Sequence, residues 1–300
     1  MEEIFDRLVI RLLLAIFVCL VFVVYRFAHV LFYPSVKNHV FKNIDVHENS
    51  AETLHFFSRI VGLSIVVSSL NFHEGHGFLI SVIHFLIWGI ITALLYLGSL
   101  YLIESIVLYN FDYKDEVIKK QNMAYAIISA THSIALSYLV RQVITQSDNS
   151  LIILSILWLL ALIIMGLSSK YFNFVSKLSI LKLVVQKNLA VSFSYLGFFM
   201  GATYLASESF NQEHYNINTY LIQVVLKILL ALIIYPIFKL GLSSIFRLKK
   251  VASDKNELKN NDFSPKTGIG FFEGSLFLAS AILTSMIVNH IKFSTIYPFF

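Results

Sequence analysis

Charge is what this sequence has least of. Asp, Glu, Lys and Arg make up 14% of its 300 residues, against 57% hydrophobic, and mean hydropathy is +0.74. A soluble domain of this length exposes far more charge. The apolar residues fall in long blocks without the polar face of an amphipathic helix, so they need the lipid bilayer as their solvent. The short alternating strands of a transmembrane barrel are missing too, which argues against that architecture. Cysteine is reduced to Cys19, so no intrachain disulfide forms. The N-terminal MEEIFDR is acidic where a secretory signal is basic, and the apolar run behind it has full length and no A-x-A site. It reads as a retained first span. There is no G-x-S-x-G, phosphate loop or H-E-x-x-H, so the expectation is a protein that is not an enzyme and holds no cofactor and no metal. The tetrad HEGH at residues 73–76 lacks helical spacing and reads as a solvated turn rather than a weak external metal site. The net charge of +5 does not argue for nucleic acid, because membrane proteins collect Lys and Arg in their cytoplasmic loops.

The apolar blocks predict eight spans, at about 8–32, 51–72, 78–109, 123–144, 151–175, 189–210, 220–246 and 268–291. Each is long enough for a hydrocarbon core of roughly 30 Å, which takes ~20 helical residues. Pro34 stops the first span and Pro236 is expected to kink the seventh. The odd-to-even connections, including Lys119, Lys120, Lys182 and Lys187, hold sixteen Lys and Arg. The opposite side holds four: Arg7, Arg11, Arg141 and Lys292. The positive-inside rule therefore puts the odd-to-even connections in the cytoplasm and both termini outside. The longest of them, KKVASDKNELKNNDFSPKT, is the one segment suited to docking a soluble partner.

The spans repeat. Counting from Asn49, Asn122, Asn188 and Lys266, the residues two, four, nine and thirteen positions on are small in all four copies. They are Ala51, Thr53, Ser58 and Gly62; Ala124, Ala126, Thr131 and Ala135; Ala190, Ser192, Gly197 and Gly201; and Gly268, Gly270, Ser275 and Ala279. Positions two, nine and thirteen share a helical face, and small faces let helices approach closely in lipid. Gly197–Gly201 and Gly270–Gly274 are also GxxxG pairs. The expected fold is all-α: four hairpins of one orientation, forming two four-helix modules at 1–146 and 147–300. Same-orientation copies exclude the inverted repeats of many transporters.

DEVIKKQNMAYAIISATHSIALSYLV (residues 115–140) resembles the signature of the bacterial inner-membrane family called domain of unknown function 350: an acidic pair, a few residues, then Asn, then alternating Ala leading into a Gly-rich helix. VQKNLAVSFSYLGFFMGATYLA and KTGIGFFEGSLFLASAIL are similar to the same element. The usual member is one four-helix module, so this chain looks like two in tandem. The resemblance implies an inner-membrane protein and carries no catalytic residue. Glu52, His55 and Arg59 depart from the pattern, as does Lys266 in place of Asn.

Ionisable residues inside spans mark candidate sites: Glu273, Arg59, Glu52, His132, Glu104, Glu208 and Lys227. Glu52 and Arg59, seven apart, are expected to pair along one helix, with His55 joining them. Glu208 and Lys227 lie at similar depth and are expected to pair. His84, His132 and His290 are expected to make interhelical hydrogen bonds. Two functions fit: a channel- or transporter-like protein using these polar faces, or a non-transporting scaffold recruiting cytoplasmic partners through the lysine-rich turns. A homo-oligomer and a tandem chain that satisfies its own pairing both stay open.

Overall fold

The computed structural model describes residues 2–33, 49–70, 72, 77–148, 150–176, 180–212, 216–246 and 267–291, with side chains from residue 9 onward. Eight long helices follow one another: α1 (Glu2–Phe32), α2 (Ser50–Val67), α3 (Phe78–Val107), α4 (Met123–Gln146), α5 (Leu151–Ser176), α6 (Leu189–Phe210), α7 (Ile217–Ile245) and α8 (Thr267–His290). All eight are long and apolar enough to cross a membrane, and the chain is a multi-pass membrane protein. The helix ends at 32, 107, 176 and 245, with the starts of α2, α4, α6 and α8, define what is called below the lysine-rich end.

Two local expectations change. α2 stops at Val67, short of residue 72, where Ser68 and Ser69 turn their hydroxyls back onto the Ile65 and Val66 carbonyls and compete with the next helical bonds. A π-helical turn (Lys114–Lys119) and a short helix (Ile180–Val185) precede α4 and α6, where the sequence suggested plain connections. Pro34, the HEGH tetrad and the loop 247–266 lie outside the described residues.

Three of the four repeat origins, Asn49, Asn122 and Asn188, are helix caps. Asn49 Oδ1 accepts from the Ala51 and Glu52 amides, Asn122 Oδ1 from Ala124 and Tyr125, and Asn188 Oδ1 from Val191. Two of the caps also bridge repeats: Asn49 Nδ2 donates to Val117 O, and Asn122 Nδ2 to Val184 O, each at the approach to the next repeat. Gln121 and Lys187, each just before a cap, hold a positive φ of 48° and 54°. The turn folds back there, so that the Asn122 and Asn188 amides reach the Glu116 and Leu183 carbonyls.

The even helices form the inner row. α2 packs on α4, α4 on α6 and α6 on α8, in chain order and all pointing the same way. The odd helices stand outside: α1 and α3 against each other and the first module, α5 against α3, α4 and α6, α7 against α6 and α8. α4 is the centre, with 83% of its membrane window buried against 11% for α1. Small residues set the spacing. A Cβ on Gly197 would fall 2.0 Å from Gly274 O, and one on Gly270 would fall 1.9 Å from Ala190 O. At the α4–α6 contact, Ser192 donates to Ala124 O at 3.0 Å. Gly201 abuts Ala281, and Ala124 and Ala126 are fully buried. In the last repeat the contact is carried by Gly270 and Gly274, while Gly268 and Ser275 of the two-nine-thirteen face are exposed. A helix at the end of a row has a neighbour on one side only.

A buried polar cluster in the first module

Polar contacts cross all three seams of the inner row at one level. The position seven residues after the second, third and fourth repeat origins receives them: Ser129, Tyr195 and Glu273. Ser129 Oγ meets His55 Nδ1 at 3.0 Å and Arg59 Nη2 at 3.3 Å. Tyr195 OH meets His132 Nε2 at 2.7 Å, and Glu273 Oε2 accepts from Ser194 at 2.9 Å. Counting 1.5 Å per residue, all three lie ~9–10 Å from the lysine-rich end. The line of polar groups runs along the membrane plane rather than through it. Arg59, His132 and Glu273 therefore do not converge on one site, and the α4–α6 seam between modules is filled by the His132, Tyr195 and Phe199 rings.

The first seam is much the most polar. Arg59, 1% exposed, does not pair with Glu52. Its partner is Glu104 of α3, at 2.6 Å from Nη2 to Oε1. The correction is geometric: the guanidinium reaches across to the neighbouring helix, where a buried carboxylate compensates a charge that lipid would penalise. Glu104 accepts two further bonds, from Ser129 Oγ to Oε1 at 2.7 Å and from Tyr33 OH to Oε2 at 2.8 Å. The Arg59 guanidinium lies over the Tyr33 ring, 5.5 Å from its centroid. His29 stacks on Tyr33 at 4.8 Å, Tyr25 on Tyr96 at 6.1 Å, and His55 leans on Tyr113 at 4.6 Å. Tyr96 OH bonds Ser133 Oγ at 2.5 Å, and Ser133 donates to Ser58 O. Tyr113, in the connection before α4, is held above the usual phenol range by burial and then by the Glu52 charge, so it stays protonated.

Around this ion pair the polar groups are under-satisfied. Eleven buried side-chain N or O atoms among the described residues lack a hydrogen-bond partner. Seven of them belong here: Tyr25 OH, both nitrogens of His29, His55 Nε2, Arg59 Nε and Nη1, and Tyr113 OH. Native interiors leave few such atoms, so a concentration of them marks a place for water, an ion or chemistry.

The other candidates stand apart. Glu208 does not form an ion pair with Lys227. Its Oε2 accepts from Asn289 of α8 at 2.7 Å, a neighbour on the packed side of α6, and Lys227 is buried in α7. His132 makes the interhelical bond expected of it, while His290 bonds the Met286 carbonyl of its own helix. Lys239, counted above among the sixteen basic residues of the odd-to-even connections, lies within α7 over the Phe277 ring at 4.1 Å. An apolar cavity of about 60 Å³ opens between α5, α6 and α7, beside Tyr171, Phe198 and Tyr235. Among the described residues, no group of three His, Cys, Asp or Glu is placed to hold a metal ion.

Several cluster members escape a reading by motif: Tyr25, His29, Tyr33, Tyr96, Tyr113 and Ser129. The signal for three of them is their spacing. Tyr25, His29 and Tyr33 fall at i, i+4 and i+8, one polar stripe on an otherwise apolar span.

Eight membrane helices in two tandem modules, four in an inner row and four outside it, define a polytopic membrane protein with an internal repeat. The family model for Domain of Unknown Function 350 (DUF350) matches residues 3–144 and again 147–288, and the chain belongs to that family as a tandem, two-copy member. No curated protein and no solved structure matches it significantly.

Proposed function

We propose that the protein is a transporter-like membrane protein that moves an ion through its first module, in the bacterial inner membrane, with the lysine-rich end in the cytoplasm and both termini outside. The observation that carries this reading is the Arg59–Glu104 pair, buried within a span bundle, with two nitrogens of the arginine itself and five polar atoms of its neighbours without partners. A purely structural ion pair needs its own hydrogen bonds completed and gains nothing from unfilled donors beside it. Ionisable groups at membrane depth are costly and serve ion and proton paths where they are kept. The second module does not repeat the site: Phe198 stands ten residues after its cap, where the first module has Arg59. The path is therefore assigned within α1–α4, not to the seam between modules.

The test is charge movement in vesicles holding the purified full chain under an imposed potential. The wild type is expected to carry charge, and an Arg59→Ala/Glu104→Ala double variant to lose it. Wild-type vesicles that move no charge when H⁺, Na⁺, K⁺ and Cl⁻ are offered in turn would end this reading.

A further inference from the structure

The bonds meeting at Ser129 settle the chemistry of His55. The serine hydroxyl has one proton, and it goes to Glu104 Oε1 at 2.7 Å. Arg59 Nη2, which can only donate, also points at the serine oxygen. The 3.0 Å contact from His55 Nδ1 is then an N–H donating to Ser129 Oγ. A neutral imidazole protonated at Nδ1 carries a bare, accepting Nε2. That Nε2 is buried and without a partner, beside Tyr113 in the connection before α4. The result is an unbroken hydrogen-bonded line, His55–Ser129–Glu104. It begins at a proton acceptor on the lysine-rich side and ends on a carboxylate.

Two charged groups face this line, Arg59 and Glu52 of α2. The other titratable groups around it are His29 and Tyr25 of α1, Tyr33 just after it, Tyr96 of α3, Tyr113 of the connection and Tyr125 of α4. The cavity of the second module lies elsewhere, and the side chains of the cluster pack ring on ring. A proton passes along such a line by exchanging bonds, without the opening that a hydrated ion needs.

Resting on the ion-translocation reading above, we propose that the ion is the proton and that Glu104 is a proton-loading carboxyl filled through His55 and Ser129. A proton binds His55 Nε2. The Nδ1–H bond breaks as its proton passes to Ser129 Oγ, and the serine's former proton passes to Glu104 Oε1. Histidine returns to neutral in its other tautomer, the serine hydroxyl is intact, and Glu104 is a neutral acid. Loading removes the counter-charge of Arg59, whose Nε and Nη1 already lack partners, so it loosens the tie between α2 and α3.

Infrared difference spectra after a pH jump, on the full chain in lipid vesicles, test this. Acidification is expected to give a protonated-carboxyl band in the wild type that Glu104→Gln lacks. Ser129→Ala is expected to slow its rise about 100-fold, and Ser129→Thr, which keeps the hydroxyl, to restore the rate. A band that survives in Glu104→Gln, or one that rises at the wild-type rate in Ser129→Ala, overturns the proposal. Should Glu104→Gln not fold, the Ser129 pair decides. Charge carried by Na⁺ or Cl⁻ with no carboxyl band removes proton loading and leaves ion translocation standing. A band without charge movement removes translocation and leaves proton binding at Glu104.

Discussion

Arg59 and Glu104 are 45 residues apart and meet at 2.6 Å, and each is worth more to the other than to the fold as a whole. Removing one partner strands the other charge in a low-dielectric interior. Glu104→Ala is expected to cost about 3–5 kcal/mol, measured by unfolding in detergent, while the paired Arg59→Met/Glu104→Met change costs less than either single truncation. The glycines give a sharper contrast. Gly197→Ala drives a Cβ into Gly274 backbone and is expected to cost about 1–3 kcal/mol. Gly268→Ala, with nothing within 4 Å, is expected to leave the unfolding midpoint unchanged or slightly raised, because alanine is the better helix former. Both glycines belong to one small-residue pattern in the sequence. The difference between them is whether a neighbouring helix is present.

At the scale of the element, the capping asparagines do two jobs with one side chain. Asn122 Oδ1 caps α4, while its Nδ2 bonds Glu116 and the Val184 carbonyl. Asn122→Ala loses both and is expected to cost about 2 kcal/mol, the sum of a cap and a buried hydrogen bond. Asn122→Asp keeps the cap oxygen but sets a carboxylate against Glu116, so it is expected to destabilise as well. Nearby, the Lys119 hydrogen bond and charge hold the Asp115 carboxyl below its usual range. A depressed carboxyl stabilises above its unfolded value and loses that contribution as pH falls, but this pair is exposed. Asp115→Asn is therefore expected to match the wild type in thermal unfolding at both neutral and acidic pH. The asparagines were legible as the origins of a repeat, and the start of a small-residue helix marks them as caps. Their reach into the next repeat was not legible, because it depends on where that repeat is placed.

For the whole molecule, the row α2–α4–α6–α8 turns four hairpins into one solid. The last repeat has Lys266 where the others have asparagine. Single cysteines at Lys119 and Lys187, in a Cys19→Ser background, are expected to react with an impermeant thiol reagent from one side of the membrane. Cysteines at Thr145 and Asn216 should react from the other. Labelling of positions 119 and 187 from opposite sides would break the same-orientation hairpin.

The amino-acid sequence alone determined the membrane class, the eight spans, the repeat and its family. Hydrophobicity and small-residue spacing are local properties, written along each helix and independent of what lies beside it. Tertiary structure decided the partners. Arg59 could have met Glu52 seven residues away on its own helix, and Glu208 could have met Lys227 at its own depth. Only the approach of α2 to α3, and of α6 to α8, placed Glu104 and Asn289 closer. In a bundle held apart by single methyl groups, a side chain bonds whatever the neighbouring backbone brings within 3 Å.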